Sequence, residues 1–234
     1  MFRRVILPTI VLIPIVIATP GAAAQQGEGQ RLVVPISDPS RPIVLRASLV
    51  SGGIVVTPHD GREVIVIARP RDAELDARRA DGMRLIPNTS VGVTAEEEAN
   101  RIDVQADWSS RGIDLEIQVP VRTSAELSTV NSGDIVVRGL TGDLELQNTN
   151  GSIVAEDIDG SVVANTTNGT VRVRFDRVKP DTDMAFNSFN GDVDLTFPAS
   201  LEAEFRISVG RGEIRTDFEA VQRPASPKVE QDGS

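Results

Sequence analysis

The sequence predicts an all-β fold, a β-solenoid (β-helix-like) with short strands and about 18 residues per coil. Three observations predict it. From residue 31 onward, apolar and polar residues alternate in short runs that proline and glycine turns separate. Glycine then recurs every nine residues through five positions, at Gly133, Gly142, Gly151, Gly160 and Gly169. Aromatic residues make up only 3% of the chain, which suits a thin core of Val, Ile, Leu and Ala.

The chain begins with a segment that has the layout of a cleavable secretory signal peptide, residues 1–24. Two arginines precede an apolar run from Val5 to Ala18, and the small residues Ala22–Ala24 follow it. The run is short for a membrane span and contains two prolines, so we expect no stable span after cleavage. The predicted location is therefore periplasmic or extracellular.

Charge and cysteine content exclude several classes of function. The formal net charge is −10, which argues against binding to nucleic acid or to anionic lipid surfaces. The chain has no cysteine, which excludes disulfides, thiolate metal sites and lipid attachment through an N-terminal cysteine.

Residues 25–120 are predicted to form an N-terminal β region of the same elongated domain that the later repeats build. Its strands are short alternating runs with turn residues between them. The predicted strands are RLVVPI, PIVLRASLV, GGIVV, EVIVIAR, RIDVQADW and IDLEIQVP, and the predicted breaks are DPSRP, TPHDG, the charged insertion 71–82 and AEEEAN.

Residues 121–218 are predicted to be the regular β-strand repeats, with residues 219–234 as a disordered tail. Two kinds of turn alternate along the repeats, so the true unit is 18 residues and contains two strand-and-turn halves. The structural turn glycines are predicted at Gly133, Gly142, Gly151, Gly160, Gly169, Gly191 and Gly212, the last two belonging to looser copies.

Two architectures fit this repeat. In a solenoid, successive coils stack in parallel about 4.8 Å apart, and like turns lie directly over one another. In an antiparallel β-meander or sandwich, Asn-Gly would be a two-residue hairpin turn. The recurrence of asparagine in like turns favours the solenoid, because stacking would join the amides in a hydrogen-bonded ladder.

The repeat region resembles the bacterial putative-adhesin family of β-strand repeat domains, a domain of unknown function. The resemblance lies in a strand that closes on Val119-Pro120, the turn at 132–135, and the Asn-Gly turns at 150–151, 168–169 and 190–191. It covers roughly residues 40 to 218. It implies an elongated β-solenoid-like domain, usually exported or membrane-tethered, without catalytic residues. The tail QRPASPKVEQDGS departs from the glycine-rich coil with which family members commonly continue.

The sequence predicts no enzyme, cofactor or metal site. His59 is the only histidine, and its neighbour Asp60 is too close in a turn to orient it as a base. Asp157 and Asp159 are the candidates under the alternative hypothesis, a periplasmic carbohydrate-active β-helix enzyme. Trp108 is expected to cover the open end of the core, with sugar stacking as the alternative.

The predicted function is an exported, non-enzymatic, adhesin-like envelope interaction or scaffold module. Its partner would be an envelope protein or a glycan, and edge-to-edge polymerisation depends on whether the end coils are capped. A binding strip is predicted on the asparagines of the like turns and the strands that lead into them: Asn131, Asn148, Asn150, Asn165, Asn168, Asn187 and Asn190.

Overall fold

A computed structural model describes residues 29–71, 92–106 and 112–219. The predicted signal peptide, Trp108 and residues 220–234 of the predicted tail lie outside the described residues. The chain divides into two units, Met1–Ala199 and Ser200–Ser234. Within the described ranges, no helix is long and apolar enough to cross a membrane.

The described part of the first unit is all β, as predicted. Its strands are β1 (Gln30–Pro35), β2 (Ile43–Ser51), β3 (Ile54–His59), β4 (Glu63–Pro70), β5 (Val93–Glu98), β6 (Arg101–Ala106), β7 (Ile113–Pro120), β8 (Thr123–Asn131), β9 (Ile135–Arg138), β10 (Thr141–Asn150), β11 (Ile153–Asn168), β12 (Val171–Val178), β13 (Ala185–Asn190) and β14 (Val193–Thr196).

The strands make one continuous sheet that encloses the core from two sides. We call these two sides the first and second faces of the solenoid, and the long strand β11 belongs to both. The first face has the order β5-β6-β2-β8-β10-β11-β13, and the second has the order β1-β4-β7-β3-β9-β11-β12-β14. The inward side chains of both faces belong to one core of Val, Ile, Leu and Ala, which Phe175 joins. The alternation of buried and outward residues in β7 and β8 is the two-residue period expected of such strands.

The 18-residue coil is confirmed, and the solenoid prevails over the meander. Thr141 pairs with Asp159, and Ile135 pairs with Ile153, each in a parallel ladder. Antiparallel hairpins would have placed consecutive strands side by side. The last coil is longer, because Val171 pairs with Val193 after an excursion between β12 and β13.

The coils are not stacked in chain order. The coil of β2 and β3 lies between the coil of β6 and β7 and the coil of β8 and β9. Beyond β7, the strands β4 and β1 continue the second face with antiparallel pairing, and β5 does the same beyond β6 on the first face. Gln30 Nε2 donates to the carbonyl of Val93 at 3.1 Å, which joins β1 to β5 at this end.

Strand β5 corrects one sequence prediction. The segment AEEEAN was predicted as a break, but Ala95–Glu98 belong to β5, which forms a hairpin with β6. Ala99 and Asn100 form the turn, with φ angles of 52° and 67°. Positive φ at both central residues matches the tight turn that joins antiparallel strands.

The described residues of the second unit, 200–219, contain no strand. This differs from the predicted repeat at Gly212. A Cβ on Gly212 would have Val209 Cγ1 as its nearest neighbour at 3.7 Å, whereas the other predicted turn glycines approach a backbone carbonyl. Several apolar side chains of this unit are exposed, among them Ile207 at 61%, and the rings of Phe205 and Phe218 lie 6.5 Å apart.

Candidate functional site

The asparagines of the like turns stand at the ends of the first-face strands. Asn131 ends β8, Asn150 ends β10, Asn168 ends β11 and Asn190 ends β13. The parallel register places Asn168 beside both Asn150 and Asn190. All four side chains are exposed, so the solenoid brings them to one edge of the first face.

These four side chains form a hydrogen-bonded ladder. Asn190 Nδ2 donates to Asn168 Oδ1 at 2.8 Å, and Asn168 Nδ2 donates to Asn150 Oδ1 at 2.8 Å. Asn150 Nδ2 then donates to Asn131 Oδ1 at 3.3 Å. We call these four residues the asparagine ladder. All three bonds point the same way, towards the coil of β8.

A second ladder lies behind the first and faces inward. The side chains of Thr129, Asn148, Thr166 and Ser188 each donate to a glycine carbonyl of an earlier coil, at 2.8 Å in every case. The inclusion of Asn148 in a surface strip was therefore wrong. Its side chain is buried in line with those of Leu144 and Leu146 in β10, and it also donates to the carbonyl of Ser152 at 3.3 Å.

The turn glycines are needed because the coils approach closely. A Cβ on Gly151 would lie 2.1 Å from the carbonyl oxygen of Gly133, and one on Gly169 would lie 2.3 Å from that of Gly151. No side chain fits at such distances. The glycine column therefore holds the turns, and with them the asparagine ladder, one over another.

The other two predicted strip residues lie on the outer surface of the first face. Asn165 pairs with Asn187 on one side and with Gln147 on the other. The same row continues through Ser128 and Ser48 to Gln105. We call this line of six amide and hydroxyl side chains the polar row.

A charged row runs beside the polar row on the same strands β6, β2, β8 and β10, two residues earlier in each strand. Asp103 pairs with Arg46, Arg46 pairs with Glu126, and Glu126 pairs with Glu145. Arg46 Nε lies 2.6 Å from Glu126 Oε2, and its Nη2 donates to Glu126 Oε1 at 3.2 Å. The hydrogen bond that Arg46 donates to Glu126 raises the pKa of Arg46, and the charges of Glu126, Asp103 and Glu145 raise it further.

The charged row and the adjoining part of the polar row line a trough of about 370 Å³ on the outer surface of the first face. The pattern of the sequence does not predict the trough. Arg46 and Glu126 come from β2 and β8, far apart in the chain, and only the unpredicted order of the coils places them side by side. The available signal was their outward position within alternating strands.

The acids proposed for catalysis are occupied by ion pairs. The carboxylate of Asp157 pairs with Arg174, and Asp159 Oδ2 accepts from Arg177 Nη2 at 2.5 Å. Asp157 lies in a bulge of β11 with φ of 57°, and its carboxylate raises the pKa of the Arg174 guanidinium. The structure thus places both acids in arginine pairs at a corner of the coil.

His59 supports the turn between β3 and β4. Its Nε2 lies 2.7 Å from the carbonyl oxygen of Glu63, and its Nδ1 accepts from the backbone N–H of Gly61 at 3.0 Å. Both ring nitrogens are therefore engaged with backbone groups. Among the described residues, no group of three or more His, Cys, Asp or Glu side chains could hold a metal ion.

The fold and this surface define a parallel β-solenoid with a polar outer face. The family model of Toastrack DUF4097 matches residues 114–234, just over half of the chain. The chain belongs to this family. The match confirms the resemblance drawn from the repeat region.

Two solved structures are similar to the chain. One is a putative adhesin from Bacteroides fragilis, with 9% identity and a TM-score of 0.30 over 71% of this chain and 96% of that one. The other is a putative cell adhesion protein from Clostridium sporogenes, with 6% identity and a TM-score of 0.34 over 72% of this chain and 99% of that one. No curated protein sequence matches the chain.

Proposed function

We propose that this protein is an exported, non-enzymatic module that binds other components of the cell envelope through the polar outer surface of its first face. The observation that carries the proposal is the asparagine ladder, in which Asn190, Asn168 and Asn150 each donate an amide hydrogen bond to the preceding coil. The ladder fixes a line of amides at the spacing of neighbouring strands, about 4.8 Å.

Binding to a fixed surface costs less entropy than binding to a mobile one. Ordering a rotamer-rich side chain at an interface costs about 0.5–1.5 kcal/mol. Each amide of the ladder is already held by its neighbours, and each amide nitrogen and oxygen has further hydrogen-bonding capacity after the ladder bond. The surface is therefore preorganised for a partner that itself repeats along the solenoid axis.

The ion pairs support a role without catalysis. A pair of catalytic acids needs carboxyl oxygens that can reach a substrate, whereas an ion pair with arginine engages those oxygens. Asp157 and Asp159 both lie beside arginines, and His59 is engaged at both nitrogens. The enzymatic alternative therefore finds no support at the residues on which it depends.

Export is part of the same proposal and depends on residues 1–24. We expect the full-length chain to be cleaved after Ala24 in a Gram-negative host. Mass spectrometry of the purified protein gives the cleavage site directly. A chain recovered intact from the cytoplasm would contradict the export.

The binding proposal is tested with the chain 25–234 and isolated cell-envelope fractions. We expect the protein to co-sediment with the envelope, and the triple variant Asn150→Ala, Asn168→Ala, Asn190→Ala to do so more weakly. Asp194→Asn is the matched control, because it changes an exposed side chain on the second face. A chain that never co-sediments would contradict the proposal, as would polysaccharide cleavage that Asp157→Asn with Asp159→Asn abolishes.

A further inference from the structure

The trough on the first face has a charge pattern that its own residues do not balance. One guanidinium, that of Arg46, faces three carboxylates, those of Asp103, Glu126 and Glu145. Glu126 forms the ion pair with Arg46. The described lining therefore carries a net charge of two negative units beside a row of neutral amides and hydroxyls.

Two of these carboxylates lie directly opposite one another. Glu126 on β8 pairs with Glu145 on β10 in the parallel register. Like charges in directly opposed positions destabilise a sheet, since their side chains lie within about 5 Å of each other. Arg46 does not lie between the two carboxylates, because it is on β2, on the far side of Glu126 from Glu145. A cation bound between Glu126 and Glu145 would relieve the other side.

The polar row beside these acids suits hydroxyl groups. Ser48 and Ser128 can each donate and accept a hydrogen bond, and the amides of Gln105 and Gln147 can do both at once. Gln147 Nε2 donates to Glu145 Oε1 at 2.9 Å, which orients both groups. Carboxylates accept hydrogen bonds from hydroxyls, and those bonds are stronger than neutral ones.

The same surface is a poor match for a protein partner. Protein interfaces depend on aromatic or aliphatic anchors that fill pockets at their centre. The apolar lining residues Ala47, Val104 and Leu127 are buried members of the core, so their side chains point away from the trough. The outward side chains of the described lining are charged, amide or hydroxyl groups.

We propose that the trough binds a polysaccharide that contains amino sugars, with the sugar chain running across the strands along the two rows. The amino groups would lie between Glu126 and Glu145 and beside Asp103, and the sugar hydroxyls would bond to the polar row. This inference rests on the proposed envelope-binding function and names its ligand class. The negative trough rejects polysaccharides that contain uronic acids, because their carboxylates would meet carboxylates.

The test is titration calorimetry of the chain 25–234 with three probes of similar length. These are chitosan oligomers with free amines, fully acetylated chitin oligomers, and oligogalacturonate. We expect chitosan oligomers to bind most tightly, chitin oligomers more weakly, and oligogalacturonate not at all. Raising the salt concentration should weaken the chitosan complex, because screening reduces its charged contacts.

Two variants locate the site. Asp103→Asn with Glu145→Gln should weaken chitosan binding about tenfold, the loss expected when charge-assisted hydrogen bonds become neutral ones. Ser128→Arg should abolish binding because its side chain fills the trough with positive charge. Glu116→Gln is the control, since it removes a partly buried acid from the second face, where it pairs with Arg69. Unchanged melting temperatures show that the variants fold.

Several outcomes would overturn the inference. These are equal or tighter binding of oligogalacturonate, failure of both chitosan and chitin oligomers to bind, or normal binding by Ser128→Arg. A lysine-rich peptide that binds as tightly as the chitosan oligomers would assign the trough to a protein partner instead. Envelope co-sedimentation that survives Ser128→Arg but not the loss of the asparagine ladder would refute this inference and leave the proposed function standing.

Discussion

Asn168 donates its side-chain amide to Asn150, the residue 18 positions earlier, at 2.8 Å. Asn168 also accepts from Asn190, so it is the central member of the asparagine ladder. The backbone pairs the same residues, because Asn150, Asn168 and Asn190 are register partners in the parallel sheet. Side chain and backbone therefore specify the same stacking of coils.

Asn168→Ala should destabilise the protein. The substitution removes two exposed hydrogen bonds. A hydrogen bond contributes about 0.5–1.5 kcal/mol to the free energy of unfolding, and we expect exposed ones to lie at the lower end of this range. We expect a loss of about 1 kcal/mol in the free energy of unfolding, measured by urea denaturation. Asn187→Ala, on the outer surface of the same face, should change it by less than about 0.5 kcal/mol. Equal losses for both variants would contradict a stabilising role of the ladder.

Gly151→Ala and Gly169→Ala should each cost more than the loss of an asparagine. The new methyl groups would lie 2.1 Å and 2.3 Å from the carbonyl oxygens of the preceding glycines, so the backbone must move. Overpacking typically costs about 1–3 kcal/mol. Gly210→Ala is the control, since a Cβ there meets nothing within 4 Å. If Gly151→Ala and Gly210→Ala had the same melting temperature, the coils would separate easily to make room for the methyl group.

Asp157 offers a test of the corner of β11. Its φ of 57° lies in the left-handed region, which costs residues with a Cβ about 1–2 kcal/mol relative to glycine. Asp157→Gly and Asp157→Ala both remove the ion pair with Arg174, so their difference isolates the backbone cost. We expect the glycine variant to be the more stable by about 1 kcal/mol in chemical denaturation. The reverse order would mean that the corner is not left-handed.

The pair of Asp143 and Lys179 should make stability depend on pH in the acid range. Hydrogen bonds from Lys179 and Ser161 hold the pKa of Asp143 below its ordinary value of 3.8. A lowered folded pKa stabilises the protein above pH 3.8, and the contribution is lost as pH falls through the lower, folded pKa. Lys179→Met should therefore lower the melting temperature near neutral pH, with a smaller difference towards the most acid pH.

The control for this pair is Arg206→Met, which removes a positive charge at an exposed position of the second unit. It should leave the acid dependence unchanged. Both partners of the pair are about half exposed, so the effect of Lys179→Met should also shrink in 1 M salt. A Lys179→Met difference that stays constant from neutral to strongly acid pH would contradict the assignment.

The sequence predicts the repeat and the ladder because both are local in the coil. The turn at Gly133 recurs 18 residues later at Gly151, so the spacing of its glycines and asparagines shows which turns stack on one another. Asn148 is the residue that this pattern does not predict. It lies two residues from Asn150, yet its side chain faces inward and Asn150 is exposed. The composition of the segment does not distinguish the buried asparagine from the exposed one.

The order of the first coils has no local signal. Val44 pairs with Arg101 on one side and with Ser124 on the other, and nothing in the spacing of these residues marks them as neighbours. Long-range pairing is decided by the packing of the whole core, which periodicity does not contain. For the same reason, the sequence does not predict the trough around Arg46 and Glu126, although Arg46 lies in a predicted strand and both residues hold outward positions in β2 and β8.

The coil of β2 and β3 lies between two coils that come later in the chain, and this position also sets an order of assembly. Contacts between residues 18 positions apart close short loops, whereas Ile43 must find Thr123 across a much longer one. We expect β10 and β11 to gain amide protection before β2 in pulse-labelled hydrogen exchange during refolding, and simultaneous protection would contradict this order. During synthesis, the edge of β2 that pairs with β8 therefore stays unpaired until the strand that begins at Thr123 has been made.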